Sequence, residues 1–262
     1  QWQPKKVEAF AGQRVVAMSA GRDHSLAITA DGAVWSRGWG AFGRLGHGDE
    51  QQRQLLPKKV EAFAGQRVIA VSAGGGHSLA LTADGAVWSW GVGWEGQLGH
   101  GDQQTQLLPK KVEAFAGRRA VAVSAGLALT ADGAVWSWGW GYSGKLGHGD
   151  TRTQLLPKKV EALAGRRVVA RSAGGDHSLA LAADGAVWSW GYGYHGKLGH
   201  GDRQTQFLPS KVEAFADQRV VAVSAGGNRS LAIAADGALW SWGWGDGGQL
   251  GHGDMQGQLL PK

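Results

Sequence analysis

The chain has 262 residues, no cysteine, 45 glycines, 14 tryptophans and a formal net charge of +6. The missing cysteine excludes a disulfide framework, a thiol nucleophile and a thiolate metal site, and it suits a reducing compartment, cytoplasmic or nuclear. No apolar run approaches the roughly 20 residues of a membrane helix, and the modest positive charge permits an acidic partner without demanding one.

Glycine makes up about 17% of the chain, against a usual value of about 7%. Such a composition suggests disorder until the glycines are seen to be phased. Prolines mark the beat at Pro4, Pro57, Pro109, Pro157, Pro209 and Pro261, in steps of 53, 52, 48, 52 and 52 residues. Between them one sentence recurs five times, and its glycines fall between Val-, Leu- and Trp-rich runs. They are turn glycines of a repeat architecture in which each copy must bury its apolar face against a neighbour.

The chain opens on Gln1 rather than Met, as a processed or excerpted chain does. Residues 4–10, Pro-Lys-Lys-Val-Glu-Ala-Phe, read as a fourth strand lacking its first three. The second copy shows the whole unit. Residues 67–73 are short, apolar and β-branched, as a buried strand is. Gly74-Gly75-Gly76 is a turn. Residues 78–82 form a second strand with Leu79 and Leu81 on one face. Asp84-Gly85 signals a hairpin, because glycine takes positive φ without penalty. Residues 87–90 form a third strand whose Trp88 and Trp90, at i and i+2, point to the same side. A long glycine-rich loop leads to residues 109–115, read as a fourth strand whose proline and paired lysines suit a sheet edge.

Four antiparallel strands per 52 residues, repeated radially, predict an all-β fold: a β-propeller of five four-stranded blades. Helical repeats of this period are excluded by glycine, β-branched residues and Asp-Gly turns in every would-be helix. The chain ends at Leu259-Leu260-Pro261-Lys262, where a fourth strand starts, so the N-terminal strand is expected to complete the last blade and close the ring. One propeller domain over 1–262 is expected, with blades at about 14–63, 67–115, 119–163, 167–215, and 219–262 plus 4–10. The third copy is four residues short. An even deletion keeps every strand residue on its face, so it predicts a clipped first hairpin.

The repeat resembles that of the regulator of chromosome condensation family. The resemblance is carried by Val71-Ser72-Ala73-Gly74 with His77-Ser78-Leu79-Ala80-Leu81, then Gly85-Ala86-Val87-Trp88-Ser89-Trp90-Gly91, then Gly96-Gln97-Leu98-Gly99-His100-Gly101-Asp102. It covers the whole chain and implies a propeller. Family members usually have seven blades, so five copies make either a small ring or part of a longer array. The resemblance implies several functions: nucleotide exchange on a small GTPase, histone and DNA docking, ubiquitin-ligase accessory domains, and ultraviolet sensing. The photoreceptor branch is marked by Gly-Trp-Arg-His-Thr, whereas the matching turns here read Gly-Gly-Gly-His-Ser or Gly-Gly-Asp-His-Ser. No insertion matching the exchange loops is present.

The repeated motifs read as structure. Gly38-x-Gly40-x-x-Gly43 recurs in every copy, but a loop follows it where a dinucleotide site needs a helix. Gly-His-Gly-Asp, as in His47/Asp49, supplies one His and one Asp per copy, short of a four-ligand zinc site. There the aspartate is expected to cap a turn and the histidine to pack or hydrogen-bond. His24, His77 and His177 precede serines that point to the opposite strand face, so these neighbours are not nucleophile–base pairs. No catalytic, cofactor-binding or metal-ligating residue is expected. Lysines and arginines near the fourth strand, diluted by Glu61, Glu113 and Glu161, read as a solvated edge, with an acidic-partner surface as the alternative.

What differs between copies is where a specific site belongs. The third-to-fourth strand loop varies most, and it shares a face with the first turn. Its candidate partner-binding residues are Trp39, Phe42 and Arg44; Trp94 and Glu95; Tyr142 and Lys145; Tyr194, His195 and Lys197; and Asp246. Loops on a rigid scaffold often carry binding, and aromatics with arginine resemble interface hot spots. The expected function is a non-catalytic protein-interaction scaffold with a protein partner. The alternatives are a guanine-nucleotide exchange factor or chromatin-docking propeller, engaging a small GTPase or chromatin, and an ultraviolet photoreceptor-like protein. An enzyme is not expected, because no asymmetric acid–base or nucleophile constellation stands out. Membrane insertion is not expected.

Overall fold

A computed structural model describes residues 3, 5–50, 53–124 and 126–262. The described chain contains five sheets of three or four antiparallel strands and short 3-10 turns. Close contacts divide it into two units, Gln1–Ala125 and Gly126–Lys262.

The first unit holds a sheet of β1 (Val15–Ala20), β2 (His24–Thr29), β3 (Val34–Trp39) and β4 (Arg53–Lys59), hydrogen-bonded in chain order. A second sheet follows, of β5 (Val68–Ala73), β6 (His77–Thr82), β7 (Val87–Gly91) and β8 (Gln106–Lys111), and β9 (Ala120–Ser124) packs on β5 and β6. In the second unit β10 (Leu127–Thr130), β11 (Val135–Gly139) and β12 (Gln154–Lys159) come first. A sheet of β13 (Val168–Ala173), β14 (His177–Ala182), β15 (Val187–Gly191) and β16 (Gln206–Lys211) comes next. Last stand β17 (Val220–Ala225), β18 (Arg229–Ala234) and β19 (Leu239–Gly243).

Consecutive sheets pack face to face by one rule within each unit. Leu26, Ile28 and Val34 of the first sheet meet Val68, Ala80 and Trp90 of the second. Leu179, Leu181 and Val187 likewise meet Val220, Ala232 and Trp242. Trp90, Trp190 and Trp242 are fully buried, each contributing roughly 4–6 kcal/mol of transfer free energy as an upper bound. Both tryptophans of a third strand do point to one side, as their spacing requires: Phe63 meets Trp88 and Trp90 edge-on, with both centroid distances 5.7 Å.

Three expectations are corrected in detail. The fourth strand starts before its proline and ends at the second lysine, since Val112 N–H makes the last bond to Val87 O. The following Glu113–Phe115 is a 3-10 turn closed by Ala116 N–H on Glu113 O, which drives Val112 and Phe115 into the core. Second, the edge of the last sheet is held from within its own copy. Residues 258–262 hold that edge: Gly243 and Gln258 exchange both backbone bonds, as do Ser241 and Lys262. The C-terminal Leu259-Leu260-Pro261-Lys262 repeats Leu55-Leu56-Pro57-Lys58, and the third-to-fourth strand loop tethers it to its own third strand. Third, Lys5–Val7 form no strand, Glu8–Phe10 is a 3-10 turn, and Phe10 meets Trp35 edge-on at 5.7 Å. Pro4 lies outside the described residues.

The clipped hairpin of the third copy keeps its register. Leu127 pairs with Ser137 as Leu79 pairs with Ser89, and Gly126 turns the chain at φ +84°.

Candidate functional site

Three of the third-to-fourth strand loops are anchored from the following sheet. The carbonyl of Arg44 accepts Trp90 Nε1–H at 2.9 Å and Ser78 Oγ–H at 2.8 Å. The Lys197 carbonyl accepts Trp242 Nε1–H at 2.9 Å and Ser230 Oγ–H at 2.8 Å. The Lys145 carbonyl accepts the same pair of donors from Trp190 and Ser178. The loop also abuts the first turn, through Trp39 N–H to Asp23 O and Val92 N–H to Gly76 O.

With its carbonyl fixed, the cationic side chain runs under the loop's aromatics. The Arg44 guanidinium donates to Ala41 O and Gly75 O, lies 3.5 Å from Asp23 Oδ2, and sits 4.5 Å from the Trp39 ring centroid. Lys145 Nζ donates to Gly175 O and lies 4.8 Å from the Trp140 ring. Lys197 Nζ donates to Asn228 Oδ1 and lies 4.9 Å from the Tyr192 ring. Arg44 and Lys197 are buried, and burial lowers the pKa of each. These three cations therefore brace the loop rather than project from it.

The aromatics above them are exposed, save for the half-buried Phe42 and His195. In the first unit Phe42 meets Trp94 edge-on at 4.8 Å, and Trp94 is 56% exposed. Glu95 lies exposed beside them. In the second unit Trp140 stacks on Tyr142 at 5.0 Å. Farther on, Tyr192, Tyr194, His195 and Trp244 make one continuous run of ring contacts, with centroid spacings of 5.9, 4.3 and 5.6 Å. Asp246 is exposed at the position that Trp94, Tyr142 and Tyr194 take in their own loops. Trp140, Tyr192 and Trp244, variable seats of the same loops two residues before the variable aromatic, complete these patches.

The loops come in two forms. Phe42, Ser143 and His195 adopt positive φ of 61°, 60° and 67°. In the other two copies a glutamine replaces the cation, and its Oε1 accepts a backbone N–H two residues back: Gln97 from Glu95, Gln249 from Gly247. Lysine and arginine have no acceptor to offer there, and those loops take the left-handed form instead.

Sequence reading missed a cross-repeat pair. His24 Nε2 lies 2.8 Å from Ser78 Oγ, and His177 Nε2 lies 2.8 Å from Ser230 Oγ. Each serine proton is committed to a loop carbonyl, so each histidine must be the donor. Burial, reinforced by Arg44, pushes His24 down to about 4, and burial pushes His177 down to about 3. A buried serine whose proton faces a carbonyl is a strut, not a nucleophile. The Gly-His-Gly-Asp histidines bond the third-strand serine of their own copy, as His47 does Ser36 at 3.0 Å. The aspartates cap turns, as Asp102 does for Gln104 N–H. Among the described residues no group of three or more His, Asp or Glu is placed to hold a metal ion.

Successive four-stranded antiparallel sheets packed face to face by paired tryptophans, with variable loops gathered beside the first turns, define a β-propeller-type repeat protein. The regulator of chromosome condensation (RCC1) repeat matches residues 31–81, 84–131, 132–181 and 184–233, and the chain belongs to that family. It is 37% identical over 259 residues to the ultraviolet-B receptor UVR8 of Arabidopsis thaliana, covering 98% of this chain and 48% of the receptor. Human WBSCR16 superposes with a TM-score of 0.85 at 28% identity, over 95% of this chain and 67% of that one. Prp20p of Saccharomyces cerevisiae, whose structure is described together with its binding to Gsp1p and histones, superposes with a TM-score of 0.83 at 27% identity, over 96% and 63%. The chain thus spans about half the length of the receptor. These relatives support a propeller of the protein-interaction class.

Proposed function

We propose that the chain is a non-catalytic protein-interaction scaffold that binds a protein partner through its third-to-fourth strand loops. One observation carries this reading: exposed aromatics gather on these loops, three of which have a carbonyl and a cation tied to the next sheet. Such rings offer large, rigid apolar area at little entropic cost, as interface anchors do. Phe42, Trp94, Tyr142, Tyr194 and His195 supply the contact, and Trp140, Tyr192 and Trp244 extend it. Arg44, Lys145 and Lys197 hold the rings in place, and Glu95 and Asp246 add negative charge at the rim. The triple variant Phe42→Ala/Trp94→Ala/Tyr194→Ala is expected to lose at least tenfold in partner recovery by affinity capture. Unchanged recovery refutes the reading.

A second reading rests on the Prp20p match. By that likeness the same loop face engages a small GTPase or chromatin. Accelerated nucleotide release from a candidate GTPase, or DNA binding that weakens along a salt series, supports it; neither occurring refutes it.

A further inference from the structure

Arg171 breaks the pattern of the joint it stands in. Its counterparts Val71 and Val223 pack into the apolar joints of their own units. Across the joint from Val71 stand Leu26 and Ile28, whose counterparts in the third copy, Leu127 and Leu129, are buried as well. β10, which carries those two leucines, packs on β13, which carries Arg171. A guanidinium therefore stands among leucines where the sister sheets place valine.

Among the described residues nothing balances this group. Its Nε and Nη2 find no hydrogen-bond partner there. Burial alone shifts its pKa, to about 10, so the guanidinium is charged at neutral pH and no carboxylate of the described residues acts on it. Nε and Nη2 form one edge of the guanidinium plane. Their N–H bonds run parallel, the geometry that takes both oxygens of a carboxylate. Arg171 as a whole is half-buried, so this edge is packed away while the residue keeps contact with solvent.

The sequence also removes the group that fills this region in the sister joints. In the second sheet Val71 pairs with Ala80 and Ala73 with Ser78, so Val71 and Ser78 share a face, one step of about 7 Å apart along it. His24 of the preceding sheet lies over that serine, 2.8 Å from its Oγ. In the sheet of β13–β16, Arg171 pairs with Ala180 and Ala173 with Ser178, which puts Arg171 and Ser178 in the same relation. The preceding copy is the short one: its sequence passes from Gly126 straight into Leu127 and has no counterpart of His24. Ser178 keeps its own bond to the Lys145 carbonyl at 3.0 Å, but no histidine of the described residues donates to it. An unpaired fork of donors and a missing imidazole thus fall within one arginine side chain's length of each other.

We propose that a small carboxylate anion binds in this joint, both oxygens on the Nε–Nη2 edge of Arg171, beside Ser178 where the sister joints hold a histidine. Two charge-assisted bonds offset the desolvation of the guanidinium. One negative charge leaves the leucine-lined joint neutral, whereas a dianion such as hydrogen phosphate leaves net charge buried. A planar anion of acetate's size is no larger than the imidazole it stands in for, so the close packing of the joint is kept.

The test is calorimetric titration of the full chain with sodium acetate at neutral pH, the ionic strength held constant with sodium chloride. Wild type is expected to show one saturable site per chain. Arg171→Val is expected to weaken binding by about tenfold or more. Arg171→Lys, which keeps the charge and loses the fork, is expected to do the same. Acetate is also expected to raise the urea midpoint of wild type and to leave that of Arg171→Val unmoved, because only a ligand of the folded state stabilises it. Unchanged circular dichroism shows that both variants fold. A wild type with no saturable site overturns the proposal, as does equal binding by Arg171→Val. Sodium chloride that raises the midpoint as far as acetate does overturns the assignment to a carboxylate.

Discussion

Trp90 of the second sheet donates its indole proton to the carbonyl of Arg44, 2.9 Å away in the loop of the sheet before it. The bond joins the fold to the candidate site. The residue that wedges two sheets apart also fixes the backbone from which a cation braces the exposed rings. Trp190 and Lys145 repeat the relationship in the second unit.

Replacing Trp190 by phenylalanine removes that donor and part of a fully buried ring. A buried hydrogen bond contributes about 1 kcal/mol net, and the cavity adds to it. We expect Trp190→Phe to lower stability by about 2–3 kcal/mol in urea unfolding, and Trp190→Ala to lower it further. A change under 0.5 kcal/mol, taken as an order-of-magnitude bound, means that the wedge carries no weight.

The buried histidines make stability fall toward acid. Burial holds the folded-state pKa of His24 at about 4 and that of His177 at about 3, below the ordinary histidine value of about 6.5. The unfolded chain therefore binds protons first. The stabilisation is complete above pH 6.5 and is lost as the pH falls toward 4 and then 3. The Gly-His-Gly-Asp histidines His47, His100, His148 and His200, also lowered by burial, act in the same direction. Midpoints of thermal unfolding between pH 7 and 4 should drop steeply, and His24→Gln/His177→Gln should flatten the slope. An equal slope in the double variant would show that these two sites do not titrate on unfolding.

Much of this was legible in the sequence, and the limits have physical causes. Period, turn chemistry and the Trp-Ser-Trp spacing all follow from local rules, so the sheets and the direction of the tryptophans could be read directly. The pairing of His24 with Ser78 could not, because its partner lies 54 residues away. The inward course of Arg44 and Lys197 was hidden for a similar reason. A charged residue in a variable loop reads as surface until the carbonyls of the next turn are seen to accept its protons. The hold of residues 258–262 on β19 was not legible either, because residues 4–10 and 259–262 carry overlapping parts of one motif.

Ser143 tests the left-handed loop form. It is buried at φ 60°, a region that costs a side-chain-bearing residue about 1 kcal/mol or more. Ser143→Gly is expected to raise the melting temperature by a few degrees, corresponding to about 0.5–1 kcal/mol. Ser143→Val, β-branched at the same angle, is expected to lower it. The reverse order would mean that the serine hydroxyl, not the backbone angle, governs this loop.

Arg171 stands where three other copies place valine: Val71, Val123 and Val223. Val71 and Val223 pack into the apolar joint between sheets. Among the described residues the Nε and Nη2 of Arg171 find no hydrogen-bond partner and are shut off from solvent, and burial lowers its pKa to about 10. A buried polar group left unpaired costs about 1–3 kcal/mol, and more when it is charged. Valine fits the same seat in the sister sheets, so Arg171→Val removes that cost without opening a cavity that the fold has not already accommodated. We expect the urea midpoint of Arg171→Val to rise, corresponding to a gain of about 2 kcal/mol, with an unchanged m-value. Arg171→Lys keeps the charge and should gain nothing. A loss of stability in the valine variant would mean that the guanidinium satisfies an acceptor in solution, and that this joint is polar where its counterparts are dry.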